Sequence, residues 1–271
     1  MSGFSLPPLP NAKWNTSLDN NPDYRAARLS ADAPRVPWNV FESRLDWRQG
    51  EHFGLIGPTG KGKTTMQMAL LPLHPYVVVT ATKPADPTMD KLIKYGDYVR
   101  LEHWRRLNPR DFPRRVIWPN AKELSARTHQ REVFLDAFER IYMEGGWTLS
   151  IDELWFFTAI LGLETEVRIF ILQSRSNNIS LLMSTQRPSR VPLEVFDQST
   201  HLMFWRENDR RNLDRIGEIN ARDASLVRAI VRELEEYQVL YVNTRTGQML
   251  RTRVPYASYG QPMNRGDRKS A

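Results

Sequence analysis

The sequence predicts an α/β domain with a central, mostly parallel sheet flanked by helices, and three observations carry that expectation. The segment Gly57-Pro58-Thr59-Gly60-Lys61-Gly62-Lys63-Thr64 follows an apolar run (Phe53, Leu55, Ile56) and precedes a helix-like one (Met66, Met68, Ala69, Leu70, Leu71). Short β-branched or apolar runs then alternate with helical stretches, the pattern of parallel strands joined by crossovers. The last two runs, 238–242 and 248–254, are joined through Thr244-Arg245-Thr246-Gly247 and read as a C-terminal β-hairpin.

Along the chain, residues 1–37 carry Pro7, Pro8, Pro10, Pro22, Pro34 and Pro37 with little apolar periodicity, and read as an extended N-terminal arm. Trp38, Phe41, Leu45 and Trp47 begin the folded domain, expected over 38–255, with a loop-like tail at 256–271. Tyr76-Val77-Val78-Val79-Thr80 is a short β-branched run suited to a strand buried on both faces. Arg115-Val116-Ile117-Trp118 is a weaker strand. Residues 125–144 are helical, with Phe134, Ala137, Phe138 and Ile141 on one face and Gly145-Gly146 as the stop. A strand at 147–151, a helical stretch reaching Gln173, and strands at 179–183 and 201–205 follow. Val227, Ile230, Val231 and Leu234 mark a further helix.

The chemistry concentrates in three motifs. Gly57 to Thr64 fits G-x-x-x-x-G-K-[ST]: its glycines let backbone N–H groups form a concave nest for a β-phosphate. Lys63 then reaches the β/γ-phosphate oxygens, the Thr64 hydroxyl holds Mg²⁺, and Thr65 follows on the same first helical turn. The nucleotide-binding set is therefore Gly57, Pro58, Thr59, Gly60, Lys61, Gly62, Lys63, Thr64 and Thr65, with ATP and Mg²⁺ as the implied ligands. The second motif, Leu149-Ser150-Ile151-Asp152-Glu153, ends a strand in two carboxylates. Asp152 is placed to hold the Mg²⁺ hydration shell and Glu153 to act as general base on the attacking water. Many strands end in an acidic pair, and the reading gains weight from the phosphate loop upstream. The third motif is Ser184-Thr185-Gln186-Arg187-Pro188, where an amide at a strand tip can bond both the lytic water and the γ-phosphate and report to the loop beyond.

Composition sets the surroundings. The 271 residues suffice for one large α/β domain, and the absence of cysteine excludes disulfides, thiolate metal sites and a thiol nucleophile. No run of eighteen apolar residues exists and the N-terminus lacks a secretory pattern, so the expectation is a protein without a membrane span, in the cytoplasm. The five histidines are scattered without metal-ligand spacing. A net charge of +7 and a pI near 9.7 favour a polyanionic partner.

The order of phosphate loop, strand-Asp-Glu and strand-Thr-Gln-Arg-Pro resembles the FtsK/HerA superfamily of DNA-translocating ATPases, over about residues 50–206. Arg175 stands eleven positions before Gln186, where FtsK-type sequences carry an arginine that acts in trans on the neighbouring subunit's γ-phosphate. The resemblance implies a RecA-like (ASCE) core in which the glutamine strand lies between the phosphate-loop strand and the Asp-Glu strand. It also implies a homo-oligomeric ring with Lys63, Glu153, Gln186 and Arg175 catalytic. Lys61 departs from the family, which usually has a small residue there. The chain's size is most like the compact viral genome-packaging ATPases, or a small plasmid-transfer ATPase. A viral origin would put it in the host cell or with the virion, docked on a portal or capsid-vertex protein. A nucleotide-gated assembly protein that does not move DNA remains the alternative. A terminase nuclease fits poorly, since the late carboxylates fall mostly in helix-like segments.

For a sequence-indifferent translocase, double-stranded DNA is expected to meet basic loops through its phosphates. The loop after Gln186 offers Arg187, Ser189 and Arg190. A second cluster is Arg105, Arg106, Arg110, Arg114 and Arg115 near Trp104 and Trp118, whose rings suit core packing better than base stacking, and a third is Arg206, Arg210, Arg211 and Arg215. Each of the three clusters could equally be a solvated face or a subunit interface.

Overall fold

The computed structural model describes residues 33–219 and 224–255. Nine strands form one sheet: β1 (His52–Ile56), β2 (Val77–Thr80), β3 (Val99–Leu101), β4 (Arg114–Ile117), β5 (Thr148–Ile151), β6 (Ser180–Thr185), β7 (Ser199–Trp205), β8 (Gln238–Asn243) and β9 (Met249–Arg253). Their order is β3-β4-β2-β5-β6-β1-β7-β8-β9. All pairings from β3 through to β7 are parallel, and the β7–β8 and β8–β9 pairings are antiparallel. The predicted α/β class and closing hairpin are therefore observed, and β6 does lie between β1 and β5.

The strands read as near-continuous apolar runs because both faces of the sheet are covered. Successive side chains point to opposite faces, so Val77 and Val79 join one core cluster and Val78 the other. Phe53 and Leu55 likewise face Met66 and Leu70 of the helix Lys63–Leu70, while Ile56 turns to the opposite cluster. On that opposite face the helix Arg127–Glu144 buries Val133, Phe134, Ala137, Phe138 and Ile141 at three- and four-residue spacing. It stops at Gly145.

The helical stretch expected to reach Gln173 is broken into a π turn, Phe156–Ile160, and a helix, Glu164–Gln173. Gly162, at φ +65, separates them in a conformation that favours glycine. Elements the sequence reading passed over include β3, only three residues long, and the helices Pro87–Tyr95 and Glu194–Asp197. The first of these helices did carry a start signal: Asp86 accepts the backbone N–H of Thr88 at 2.9 Å, and Pro87 opens the helix.

Of the expected arm, residues 1–32 lie outside the described residues, as does the expected tail at 256–271. Residues 33–36 run beside β9: Arg251 N donates to Pro34 O at 2.9 Å and Val36 N to Arg251 O at 2.8 Å. Among the described residues no helix is long and apolar enough to cross a membrane.

Candidate nucleotide site

The site is built where β1, β5, β6 and β7 end side by side, because parallel strands deliver their C-terminal loops to one rim of the sheet. The phosphate loop leaves β1 with Gly57 N donating to Thr185 O of β6 at 3.2 Å. A Cβ on Gly57 would stand 2.5 Å from the Cβ of Trp205, so only glycine allows β7 this close. At the other end of the loop Gly62, at φ +91, turns the chain into the helix that begins at Lys63.

Lys63 is buried, and its Nζ donates to the loop carbonyls of Gly57 at 2.6 Å and Pro58 at 2.8 Å. Burial pushes its pKa down, while the charges of Asp152, Glu153 and Glu207 oppose that shift. This is a cation held by exchangeable backbone acceptors inside a field of carboxylates. Thr64 and Thr65 follow in the first helical turn, both half-buried.

Asp152 and Glu153 emerge from β5. Asp152 Oδ1 accepts the Ser184 hydroxyl at 2.9 Å, which fixes the carboxylate against β6. Glu153 adopts φ +59, a left-handed conformation uncommon for a non-glycine residue and one that costs of order 1 kcal/mol. Burial, and then the neighbouring Asp152, raise its carboxyl pKa above the ordinary range; Lys63, the backbone N–H of Gln186 and Arg187 act the other way. Gln186 closes the constellation: the Thr59 hydroxyl donates to its Oε1 at 2.5 Å, joining the phosphate loop to the tip of β6. Lys61, the residue that departs from the family pattern, pairs with Glu236 at 3.2 Å in an exposed contact.

Among the described residues no three His, Asp or Glu side chains converge as a metal cage. The donors present at the rim are hard oxygens, the Thr64 hydroxyl and the Asp152 carboxylate, the type that suits a Mg²⁺ shared with phosphate.

Arg175 stands at the opposite rim. It is exposed, follows the helix Glu164–Gln173, and bonds the carbonyl of Gln198 at 3.0 Å. The whole length of β6, about 20 Å at strand rise, separates that rim from Gln186. Arg175 therefore does not join the nucleotide site of its own chain.

The basic clusters fare differently. Arg187 and Arg190 are exposed beside Gln186, with the Arg190 guanidinium 5.8 Å from the Trp155 ring centre. Arg105, Arg106 and Arg110 are exposed between β3 and β4, and Arg106 shares a cavity with Tyr76 and Trp147 at the N-terminal rim, away from Gln186. Arg115 corrects the grouping: it is fully buried, stacked between Trp104 and Trp147 at 4.7 and 4.5 Å. Trp104 and Trp118 are also core residues. Arg206, Arg210 and Arg211 are exposed after β7.

One functional candidate escaped the sequence reading. Glu207 is buried just beyond β7, where its charge acts on Lys63. No spacing rule announces it; it reaches the site only because β7 lies beside β1.

The sheet order and this rim define a P-loop NTPase fold. The chain is similar to the DNA-packaging ATPase B204 from Sulfolobus turreted icosahedral virus, at 13% identity and TM-score 0.56 over 78% of this chain and 100% of that one. It is also similar to the genome packaging NTPase B204 from Sulfolobus turreted icosahedral virus 2 in complex with sulfate, at 13% identity and TM-score 0.54 over 74% and 95% of the two chains. With ATP-gammaS bound, that protein matches at 14% identity and TM-score 0.52, over 76% and 98%. At such identities the likeness shows a shared fold, and it agrees with the FtsK/HerA-type resemblance carried by the motifs. Neither a protein-family model nor a curated protein sequence matches the chain.

Proposed function

We propose that this protein is an ATP-hydrolysing DNA translocase that works as a homo-oligomeric ring, with viral genome packaging as its task. The observation that carries the reading is the Thr59–Gln186 hydrogen bond. It ties a phosphate loop facing two carboxylates directly to a loop bearing two exposed arginines. The fold shared with genome-packaging NTPases, one of them crystallised with an ATP analogue, and the basic charge of the chain support the reading.

In this scheme the amides of the phosphate loop cradle the β-phosphate, and Lys63 exchanges the Gly57 and Pro58 carbonyls for phosphate oxygens. Thr64 and Asp152 would hold Mg²⁺, which when bound neutralises charge on the phosphates. Glu153, its carboxyl pKa raised by burial, takes the proton of the attacking water, and Gln186 orients that water. Arg175 of one copy serves the site of the next, since its own site lies at the far rim. Arg187 and Arg190 meet DNA phosphates; Arg105 and Arg106 form a separate basic surface. A portal or capsid-vertex protein fits as the docking partner of such a ring.

The test is steady-state ATP hydrolysis titrated with linear double-stranded DNA at low salt, followed by mixing of two inactive variants. Stimulation should fade as salt rises, because phosphate contacts release counterions. Glu153→Gln and Arg175→Ala should each lose DNA-dependent turnover, Arg175→Ala by about 10³-fold. Mixed rings should regain part of it, wherever a Glu153→Gln subunit lends its arginine to an Arg175→Ala site. No recovery on mixing removes the trans role of Arg175. A response to a partner protein but none to DNA would instead favour an assembly ATPase.

A further inference from the structure

The loop bearing Arg187 and Arg190 is held to the phosphate-loop rim at a second point, independent of Gln186. Glu207 supplies it. Its Oε1 accepts the backbone N–H groups of Asn208 and Asp209 at 2.8 and 2.9 Å, and its Oε2 accepts Asn212 Nδ2 at 2.9 Å. Asn212 lies in the first turn of the helix Arg210–Ile219, and its Oδ1 accepts the Ser189 hydroxyl at 2.9 Å. The amide is thus oriented by both neighbours: a carboxylate can only accept from it, and Ser189 gives it a proton.

This chain of bonds is more than helix capping. The cap of that helix is already provided by Asp209, whose Oδ1 accepts Asn212 N at 3.1 Å. The Asn212 side chain is therefore left to span two loops that are distant in sequence. One follows β7 and carries the carboxylate that acts on Lys63; the other follows Gln186 and carries the exposed arginines.

We infer that Asn212 is a positioning residue linking Glu207 at the phosphate loop to Ser189, so that nucleotide state is passed to the 187–190 loop and to the helix bearing Arg210 and Arg211. The inference rests on the nucleotide-binding reading above. Phosphate at the loop draws Lys63 off the Gly57 carbonyl, and Gly57 packs directly on Trp205, two residues before Glu207. That changes how strongly the carboxylate holds Asn212, and the amide transmits the change to Ser189. Together with Thr59–Gln186, this gives the arginine loop two tethers, one at each end, so that it moves as a unit.

The experiment is amide hydrogen exchange on the full chain, with and without ATP-γ-S and Mg²⁺, which needs no DNA. In the wild type, nucleotide should slow exchange at 57–64, at 187–190 and at 210–219. Asn212→Asp, nearly isosteric but repelled by Glu207, should keep the change at 57–64 and lose about tenfold of the nucleotide-dependent protection at the other two segments, a size typical of site-to-site coupling. Ser189→Ala should lose it at 187–190 alone, an ordered pattern that a merely structural role would not produce. Undiminished nucleotide-dependent protection at 210–219 in Asn212→Asp overturns the link. So does a wild type protected at 57–64 and nowhere else. A wild type unprotected even at 57–64 would fell the nucleotide reading itself, and the link with it.

Discussion

Two buried cations set the rims of the sheet against each other. At the C-terminal rim Lys63 rests on two backbone carbonyls in the field of Asp152, Glu153 and Glu207, and among the described residues no carboxylate closes to ion-pair distance. At the N-terminal rim Arg115 also rests on two backbone carbonyls, Leu107 at 2.8 Å and Phe112 at 3.2 Å, but between two indole rings. The same desolvated charge is thus poised in one place and locked in the other. Around Lys63 the partners can be exchanged for a phosphate without unmaking the core. Around Arg115 each partner is a wall of the core. The contrast extends to neighbouring groups. Glu153 sits in an unfavourable backbone conformation at the first rim. At the second, Glu51 is enclosed by His201 at 3.0 Å and Arg245 at 2.9 Å, a network satisfied from every side.

The largest effect that would sharpen this contrast is at Glu153, the proposed general base. Glu153→Gln should keep nucleotide affinity and lose turnover by about 10²–10⁴-fold. In the wild type the rate should fall as pH falls, because the base must be ionised. Since the Glu153 pKa is raised, the acid limb of the kcat/KM profile should lie above 4.5, the ordinary glutamate value. A limb at or below that value would show that another group limits the rate.

Replacing each cation in turn is the direct attempt to break the comparison. Lys63→Met should abolish nucleotide binding at a smaller cost in stability than the arginine change, since removing the desolvated charge offsets the two loop carbonyls it leaves unpaired. Arg115→Met should do the reverse, costing about 3 kcal/mol by leaving the Leu107 and Phe112 carbonyls unpaired while nucleotide affinity is kept. Denaturation midpoints beside nucleotide titrations for the two variants check this. If both variants lose stability alike, the two rims are not different in kind.

A smaller, pH-dependent effect on stability belongs to the N-terminal rim. His52 is fully buried, accepts the backbone N–H of Leu181 on Nδ1 at 3.2 Å, and has Nε2 3.2 Å from the Ile171 carbonyl. Burial pushes its pKa down from 6.5 to about 4. Between those values the unfolded chain binds the extra proton and the folded chain does not, so stability rises with pH across the window. It should be lost as pH falls from 6.5 towards 4, by up to about 3 kcal/mol for this group. Chemical denaturation at several pH values, compared with His52→Gln, isolates the contribution. Parallel curves for the two proteins would remove it.

What could be read in advance followed distance along the chain. The phosphate loop, the Asp152-Glu153 strand end and the Gln186 strand end are each contiguous segments, and each has a local chemical reason for its residues. Their convergence was expected only through the family's strand order, which the sheet reproduces. Arg115 was misread because a basic run with nearby tryptophans looks the same whether it faces solvent or stacks into the core. The short strand β3 was missed because three residues are too few to show a period. The helix Pro87–Tyr95 was missed although its Asp-Pro-Thr start was visible.

The sequence by itself determined the α/β class, most of the strands and the candidate groups at the C-terminal rim. Those features depend on backbone conformation, apolar period and spacing within a few residues. Only the tertiary structure decided that Glu207 stands beside the phosphate loop, that Asn212 joins Glu207 to Ser189, and that Arg175 stands a full strand length from its own phosphate loop. These relations follow from which strand ends lie side by side, and strand order is fixed by packing across the whole sheet, which no local segment encodes.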